Sequence, residues 1–503
     1  MIGMSKNYNL PTQLYSAQQV RELDRCAIED FQIPGIRLMR RAGQAAFDQL
    51  QRRWPSVKSI SVWCGSGNNG GDGYVIAGLA CRQGFTVQLV QVGAESKLRG
   101  DAKLACDWAR QEGVEFSTFD ASCRAKGEII VDALLGTGLS GEVLGDYAQA
   151  ISVITGTDTP VLAVDIPSGL CSDTGAVLGQ AVTADMTITF IGVKQGLLTG
   201  AGPAHCGDLV FDDLAVPAEV FERVNASAQR IDADVLASWL PARARNAHKG
   251  DFGRALVVGG DLGTGGAALM AAQASGRVGA GLVNLATRPE HLAAVLARCP
   301  EVMAHGVNSG QDLEPLLEGM DVIVIGPGLG QHAWSEQMLR VVLASECQLV
   351  VDADALNLIS AGAVNHHQRV NWLLTPHPGE AARLLGCAVK TVQNDRFAAI
   401  RELQHQYGGT VILKGAGSLV CDGDDAALAL CSAGNPGMAS GGMGDVLSGI
   451  LGGLLAQGFS LSQAAQLGVS LHAAAADKAA QAGERGMLAT DLLPYLRQLV
   501  NPI

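Results

Sequence analysis

The sequence predicts two successive α/β domains, the first built on a doubly wound parallel sheet. Three observations point there. Apolar runs of strand length recur through the chain, each followed by a glycine-rich turn and a helical pattern, as in parallel sheets covered on both faces. Glycine, at 63 residues, is well above its usual ~7% share. Aromatic residues make up only 5%, so the loops leave bare backbone for ligands to approach. The length of 503 residues exceeds one ordinary core, and domains of roughly 150 residues make two the starting expectation. With 48% hydrophobic and 17% charged residues, the chain can fill those cores and is not a disordered acidic polymer.

The elements follow in order. Ser16 and Gln19 have the spacing of a capping box ahead of Val20, Leu23 and Ala27, so a helix starts there. Pro34 and Gly35 stop it, and Met39, Ala42, Ala46 and Leu50 mark a second helix ending near Pro55. Strands are then expected at SISVWC (59–64), TVQLVQV (86–92), EIIVDALL (128–135), PVLAVDI (160–166) and DMTITF (185–190). A more polar segment between Leu214 and Asp234 lacks a glycine motif, which places a boundary near 228 and two domains at 1–228 and 229–503. A second series begins with RALVVGG (254–260), GLVNLAT (281–287) and DVIVIGPGLG (321–330). It continues with QLVVDADAL (348–356), NWLLTPHPGE (371–380) and TVILKG (410–415). The two halves use different glycine loops and are not an internal repeat.

Charge and cysteine content narrow the partners. The net charge of −13 is spread evenly, with 18 basic against 25 acidic residues in 1–225 and 18 against 24 in 226–503. Without a basic run, neither nucleic acid nor an anionic membrane is an expected partner, and phosphates are expected on backbone N–H groups. The 12 cysteines form no CxxC pair or Cys/His cluster, and Cys64, Cys81 and Cys347 lie in apolar runs, so they read as reduced core thiols. MIGMSKNYNLPTQLYS lacks the apolar region of a signal peptide, and a cytoplasmic enzyme is expected. The uncharged stretch Val446–Ala476 is broken by Gln, Ser, His472 and several glycines, which suits two buried helices better than a membrane span. A homo-oligomer is expected.

In the first half, GSGNNGGDG at 65–73 follows a strand and is expected to open a helix at Tyr74, its amides converging on a phosphate. Gly65, Gly67 and Gly70 match the dinucleotide fingerprint, but so do Gly136, Gly138 and Gly141. The second strand also ends Val90, Gln91, Val92, Gly93, without the acid that holds a ribose. Ordinary hydride transfer loses ground. Asn68, Asn69 and Asp72 add side-chain oxygens suited to a hard cation. Asp132 ends the third strand, and Asp165 and Ser168 follow the fourth in VDIPSG. Any one of these could be a cap or turn former, but three loops meeting at the carboxyl edge of a parallel sheet favour a site.

SGNNGGDG, DALLGTGLSGE and AVDIPSGL together resemble the NAD(P)H-hydrate epimerase domain, over roughly residues 14–215. The resemblance implies a Rossmann-like domain that interconverts the R and S hydrates of NADH and NADPH. It implies substrate contacts from Asn68, Asn69, Gly70, Gly71 and Asp72, and from Gly136, Thr137, Gly138, Leu139, Ser140, Gly141 and Glu142. Tyr147 joins these contacts, with Asp165 at the nicotinamide ring as the proton-transfer group. It also implies a potassium ion on Asn69, Asp132 and Ser168. Inverting a carbon that bears a hydroxyl and the ring nitrogen needs acid/base help and no redox group. A half that only binds a nucleotide-like ligand is the alternative, and the presence of Asp165 with all three cation ligands speaks against it.

In the second half, GNPGMASGGMGD at 434–445 places glycines before a helix expected to begin at Val446 with Asp445 as its cap. Backbone N–H groups and the positive helix end then make an anion hole beside a carboxylate base, a phosphoryl-transfer geometry. LKGAGS at 413–418 supplies Lys414 and a second phosphate loop, and HPGE at 377–380 supplies His377 and Glu380, a candidate to organise Mg²⁺ through water. With GGDLGTGGA (259–267), IGPGLG (325–330) and DADALN (352–357), these segments resemble the ADP- or ATP-dependent NAD(P)H-hydrate dehydratase family, a branch of the ribokinase-like fold. The likeness covers about residues 230–500. It implies that Ala267, Gly330, His377 and Asp445 contact the hydrate, and that Lys414, Gly415, Ala416, Gly417, Ser418 and Gly444 contact the nucleotide. ADP with Mg²⁺ is the expected co-substrate, as in bacterial members of this type. A ribokinase-like small-molecule kinase would share Asp445 and the anion hole but would not explain the fused epimerase motifs.

Overall fold

The computed structural model describes residues 10–232, 238–364, 368–423 and 426–501. The chain divides into two compact units, one ending at Gln229 and the other beginning at Arg230.

In the first unit, β1 (Ser59–Cys64), β2 (Thr86–Gln91), β3 (Phe116–Thr118), β4 (Ile129–Ala133), β5 (Val161–Val164), β6 (Met186–Phe190) and β7 (Asp208–Asp212) form a parallel sheet. Their order is β3-β2-β1-β4-β5-β6-β7. This is the doubly wound sheet the sequence predicts. The order reverses between β1 and β4, which opens a crevice at the carboxyl ends of those strands. The strands read as continuous apolar runs because both faces are covered. Ile60, Val62, Val131 and Ala133 enter one core, while Trp63 and Ile130 enter the other.

Helix α1 (Ala17–Arg25) starts at Ser16, whose Oγ accepts from Gln19 N at 3.3 Å while Gln19 Oε1 accepts from Ser16 N at 2.8 Å. It ends in a π turn, Cys26–Asp30, and Gly35 opens α2 (Gly35–Arg53) instead of merely stopping the first helix. Helix α3 (Asn68–Arg82) begins well before the expected Tyr74. A Cβ on Gly70 would lie 2.1 Å from the Gly65 carbonyl oxygen, and one on Gly73 would lie 2.7 Å from both Ala133 Cβ and Cys64 Sγ. These glycines therefore let the helix lie against β1 and β4; they do not form an extended phosphate loop. Helix α4 (Gly145–Thr155) covers the other face.

The second unit is a mixed sheet built from β8 (Arg254–Val258), β9 (Leu282–Thr287), β10 (Met303–Gly306), β11 (Val322–Ile325), β12 (Gln348–Val351), β13 (Trp372–Leu374), β14 (Thr410–Leu413), β15 (Ser418–Cys421) and β16 (Leu428–Cys431). The order is β10-β9-β8-β11-β12-β13-β14-β15-β16, parallel up to β14 and antiparallel beyond it. Helices α5 (Gly265–Arg277), α6 (Ala353–Ser360) and α7 (Pro378–Leu384) follow strands, α8 (Arg396–Tyr407) leads into β14, and α9 (Met443–Ala456) and α10 (Leu461–Ala479) complete the core. Helix α9 begins at Met443, before the expected Val446. Gly442 takes φ 90° at its N-cap, a left-handed turn that glycine adopts at little cost, so Asp445 is the third residue of the first turn and not the cap. Among the described residues no helix is long and apolar enough to cross a membrane. No disulfide links the cysteines; Cys64 is buried, whereas Cys81 and Cys347 are only half-buried.

Two candidate active sites

A cavity of about 610 Å³ lies at the carboxyl edge of the first sheet. Asn68, Asn69 and Asp72 from α3, Gly136, Thr137, Gly138, Leu139 and Ser140 from the loop after β4, Tyr147 from α4, and Asp165 line it. Gly70, Gly71, Gly141 and Glu142 are not in its wall. Gly71 instead packs on α2, where a Cβ would meet Met39 Cε at 2.5 Å. The Tyr147 hydroxyl donates to the Val92 carbonyl at 3.2 Å and lies 3.3 Å from Ser66 Oγ, tying α4 to the loop after β1.

Asp165 adopts φ 69°, a left-handed conformation that costs a non-glycine residue on the order of 1–3 kcal/mol. Its N–H donates to the Ile188 carbonyl at 2.7 Å, and its carboxylate receives the Lys194 ammonium directly. Lys194 is 1% exposed and also donates to Thr189 Oγ1 and the Phe190 carbonyl, each at 3.1 Å. Removing one partner of such a buried pair costs about 3–5 kcal/mol. Sequence reasoning missed Lys194. Its signal was a lysine in IGVKQG directly after an apolar strand, a place where a charge needs a partner. Asp24 from α1 lines the same cavity. Burial pushes the Asp72 carboxyl well above the usual carboxylate range, and it brings Asp24 up to about 6 against the opposing pull of Lys194.

Beneath this cavity Asn69, Asp132 and Ser168 meet around Leu135. Asn69 Nδ2 donates to the Leu135 carbonyl at 3.1 Å, and Ser168 Oγ accepts from Leu135 N at 2.9 Å. Ser168 Oγ donates to Asp132 Oδ1 at 2.6 Å, and Asp132 Oδ2 accepts from Ser168 N at 2.8 Å. Burial raises Asp132 to about 6 although the Ser168 hydrogen bonds favour its charged form. Asn69 Oδ1 is buried without a hydrogen-bond partner. An orphaned amide oxygen beside a buried carboxylate and hydroxyl is a donor set that fits an oxygen-ligated cation.

The second site gathers at the carboxyl ends of β11 to β14 and the start of α9. Lys414 Nζ donates to Asp352 Oδ1 at 2.7 Å and lies 3.8 Å from Glu380 Oε2, while Asp352 Oδ2 accepts from Ser448 Oγ at 2.7 Å. Asp352, from the DADALN segment, was not among the expected site residues. It is the buried anion that orients Lys414, and Ala353 beside it takes φ 48°. A Cβ on Gly444 would lie 3.3 Å from Lys414 Nζ, so the first turn of α9 sits over this ammonium. Burial raises Asp445 to about 6, with Asp352 adding and Lys414 opposing. His377 Nδ1 accepts from Gly379 N at 2.9 Å, which leaves the ring proton on Nε2, and burial and Lys414 hold its pKa below the usual histidine value.

The loop Gly415–Ser418 is anchored by Arg396, 1% exposed, which donates to the carbonyls of Leu413, Lys414 and Gly417 at 3.1–3.3 Å. Ala267, in the first turn of α5, lies against the loop that carries Gly330. Asp261 N donates to the Gly328 carbonyl at 2.7 Å, a Cβ on Gly328 would meet Ala267 Cβ at 3.0 Å, and Gly330 N donates to Asp354 Oδ2 at 2.9 Å. Glu380 has both carboxylate oxygens engaged, one with His377 N at 2.8 Å and the other 3.3 Å from His377 Nε2. That suits a link to Mg²⁺ through water better than direct ligation. Among the described residues no group of three or more His, Cys, Asp or Glu side chains could hold a metal.

Fold and sites define an enzyme of two α/β units, the first with an aspartate–lysine pair at the carboxyl edge of a doubly wound sheet and the second with a carboxylate in the first turn of a helix beside a buried Asp352–Lys414 pair. Residues 35–196 match the family model described as YjeF-related protein N-terminus, and residues 255–498 match that of NAD(P)H-hydrate dehydratase. The chain is 50% identical over 492 residues to the bifunctional NAD(P)H-hydrate repair enzyme of Coxiella burnetii, covering 98% of this chain and 100% of that one. A ribokinase-like superfamily protein from Enterococcus faecalis matches 54% of this chain and 94% of its own at 31% identity, with a TM-score of 0.50. The ADP/ATP-dependent NAD(P)H-hydrate dehydratase of Bacillus subtilis, co-crystallised with ATP/Mg²⁺, matches 53% and 96% at 29% identity, with a TM-score of 0.49. This chain belongs to the bifunctional NAD(P)H-hydrate repair enzyme family, and its second unit has the ribokinase-like fold that the sequence predicts.

Proposed function

We propose that the first unit interconverts the R and S hydrates of NADH and NADPH, and that the second dehydrates the S form with ADP, releasing AMP and phosphate. The chain is an isomerase joined to a lyase, and the fusion keeps the R form from being stranded. One observation carries the reading: each unit holds its own acid–base centre, Asp165 against Lys194 in the first and Asp445 beside the Asp352–Lys414 pair in the second. A kinase with a non-catalytic first domain would have no use for a strained aspartate held against a buried lysine.

In the first unit the left-handed turn aims Asp165 into the cavity, where it takes the hydroxyl proton of the hydrate. Asn68, Asn69 and Asp72, the loop Gly136–Ser140 and Tyr147 hold the nucleotide. Asn69, Asp132 and Ser168 would hold potassium, which supplies a fixed positive charge opposite the buried Asp132.

In the second unit Asp445 takes the hydroxyl proton as that oxygen attacks the terminal phosphate of ADP, and AMP departs. Lys414 and the N–H groups at the start of α9 receive the developing charge. The ring nitrogen lone pair then expels phosphate, and loss of a proton from the neighbouring ring carbon restores the reduced nicotinamide. Ala267, Gly330 and His377 face the hydrate, Lys414 to Ser418 and Gly444 the nucleotide, and Glu380 would organise Mg²⁺ through water.

Twelve cysteines without a disulfide support a reducing, cytoplasmic setting. We extend the proposal to a homo-oligomer, which light scattering of the purified chain reads directly. The test of function is to incubate the protein with mixed NADH hydrates and ADP. The near-ultraviolet absorbance of reduced nicotinamide should return in full. A chain that phosphorylates an unrelated alcohol while leaving the hydrates untouched would favour the kinase reading.

A further inference from the structure

We infer that Asp24, on the first helix, is a catalytic acid of the epimerase centre, working across the cavity from Asp165. The inference rests on the epimerase reading above and adds a residue from a part of the chain that no glycine motif marks. Helix α1 buries Ala17, Val20 and Leu23, and Asp24 lies at the edge of that stripe, in the cavity wall beside Val20 and Ile28. Its neighbour Arg25 is spent on Glu22 and Glu29 at 2.6–2.8 Å, on the solvent side. Among the described residues the Asp24 carboxyl has no hydrogen-bond or ion-pair partner. An acid set into a cavity without a protein partner is free to take one from a ligand.

Inversion needs two proton carriers. As Asp165 removes the hydroxyl proton, a carbon–oxygen double bond forms and the carbon–nitrogen bond breaks, leaving its electron pair on the ring nitrogen. That nitrogen needs a proton. Asp165, paired with Lys194, already carries the hydroxyl proton at that stage and keeps it until the oxygen takes it back. Protonated Asp24 supplies the second proton, leaving an open-chain aldehyde, protonated Asp165 and ionised Asp24. Rotation of the aldehyde turns its other face to the nitrogen. Asp24 then takes back the nitrogen proton as the carbon–nitrogen bond re-forms, and Asp165 returns its proton to the oxygen. The other epimer results and both acids are restored. Burial and the nearby Asp165 charge, opposed by Lys194, place the Asp24 titration at about 6, where both of its forms are populated near neutrality. Asp72, Arg21 and Asp101 are the remaining charged groups in this wall.

The test is kinetic, on the full chain. Asp24→Asn should lower kcat for R-to-S conversion by about 10²- to 10⁴-fold with little change in KM. The same preparation should dehydrate pure S-hydrate at the wild-type rate, which reports an intact second unit, and should melt and show far-ultraviolet circular dichroism like wild type, which reports an intact first unit. Asp24→Glu should recover part of the loss. Wild-type epimerisation should slow as pH rises through the Asp24 pKa, because the protonated form is consumed, and Asp24→Asn should lack that limb. An Asp24→Asn enzyme with wild-type kcat overturns the role, as does a loss that is equal in Asp24→Glu and confined to KM. A wild-type chain that leaves the R form at its spontaneous rate overturns the epimerase reading and the Asp24 role with it.

Discussion

Replacing Asp445 by Asn separates catalysis from stability in the second unit. Burial and the Asp352 charge raise this carboxyl to about 6, with Lys414 pulling the other way. Its folded pKa thus lies above the unfolded value, so ionising it costs the folded chain on the order of 2–3 kcal/mol at pH 7, and that cost is gone below about pH 4. Asn keeps the shape without the charge. The variant should therefore melt at the wild-type temperature or higher when neutral. Activity goes the other way. A lost general base removes about 10²- to 10⁴-fold of the dehydration rate. In wild type the basic form is the active one, roughly nine-tenths populated at pH 7 and one-tenth at pH 5, so dehydration should fall about tenfold over that interval. Glu380, also raised to about 6 by burial, titrates in the same window; Glu380→Gln should keep the acid limb, and Asp445→Asn should lose it. The assay is recovery of reduced-nicotinamide absorbance from pure S-hydrate with ADP, alongside a thermal melt. Near-native dehydration by Asp445→Asn refutes its role as base. So does a loss that tracks a lowered Tm.

Other outcomes follow from the same geometry. Epimerase activity should depend on potassium, and Asp132→Ala should weaken that dependence; equal rates in potassium and in a bulky organic cation would count against the Asn69–Asp132–Ser168 site. With excess ADP, Asp165→Asn should clear the S form at the normal rate and then slow to spontaneous epimerisation, whereas wild type clears both forms; a single fast phase in the variant would remove Asp165 from the chemistry. Gly70→Ala places a Cβ 2.1 Å from the Gly65 carbonyl oxygen. Overpacking of about 1–3 kcal/mol should outweigh the ~1 kcal/mol helix-propensity gain, and an unchanged or raised Tm would show that β1 and α3 can move apart.

Local patterns determined much of this molecule. The strand runs, the Ser16–Gln19 capping box, the order of glycine loops and the placing of Asp132, Asp165 and Ser168 at strand ends are written in neighbouring residues, because periodicity, capping and turn chemistry act over a few positions. The two acids Asp165 and Asp445 were legible for the same reason, each inside a short glycine-bearing motif. What the motifs could not show was where helices begin against a sheet. Helix α3 starts at Asn68 and α9 at Met443 because glycines that look like loop formers permit close packing on β1 and β4, or a left-handed entry at Gly442. Nor could they show partners. Lys194, Asp352, Arg396 and Asp24 stand outside the glycine loops, and each gains its role only when folding brings it into low dielectric beside a charge, a row of carbonyls or an open cavity. Burial sets the strength of those interactions, and burial belongs to the whole fold and not to any stretch of sequence.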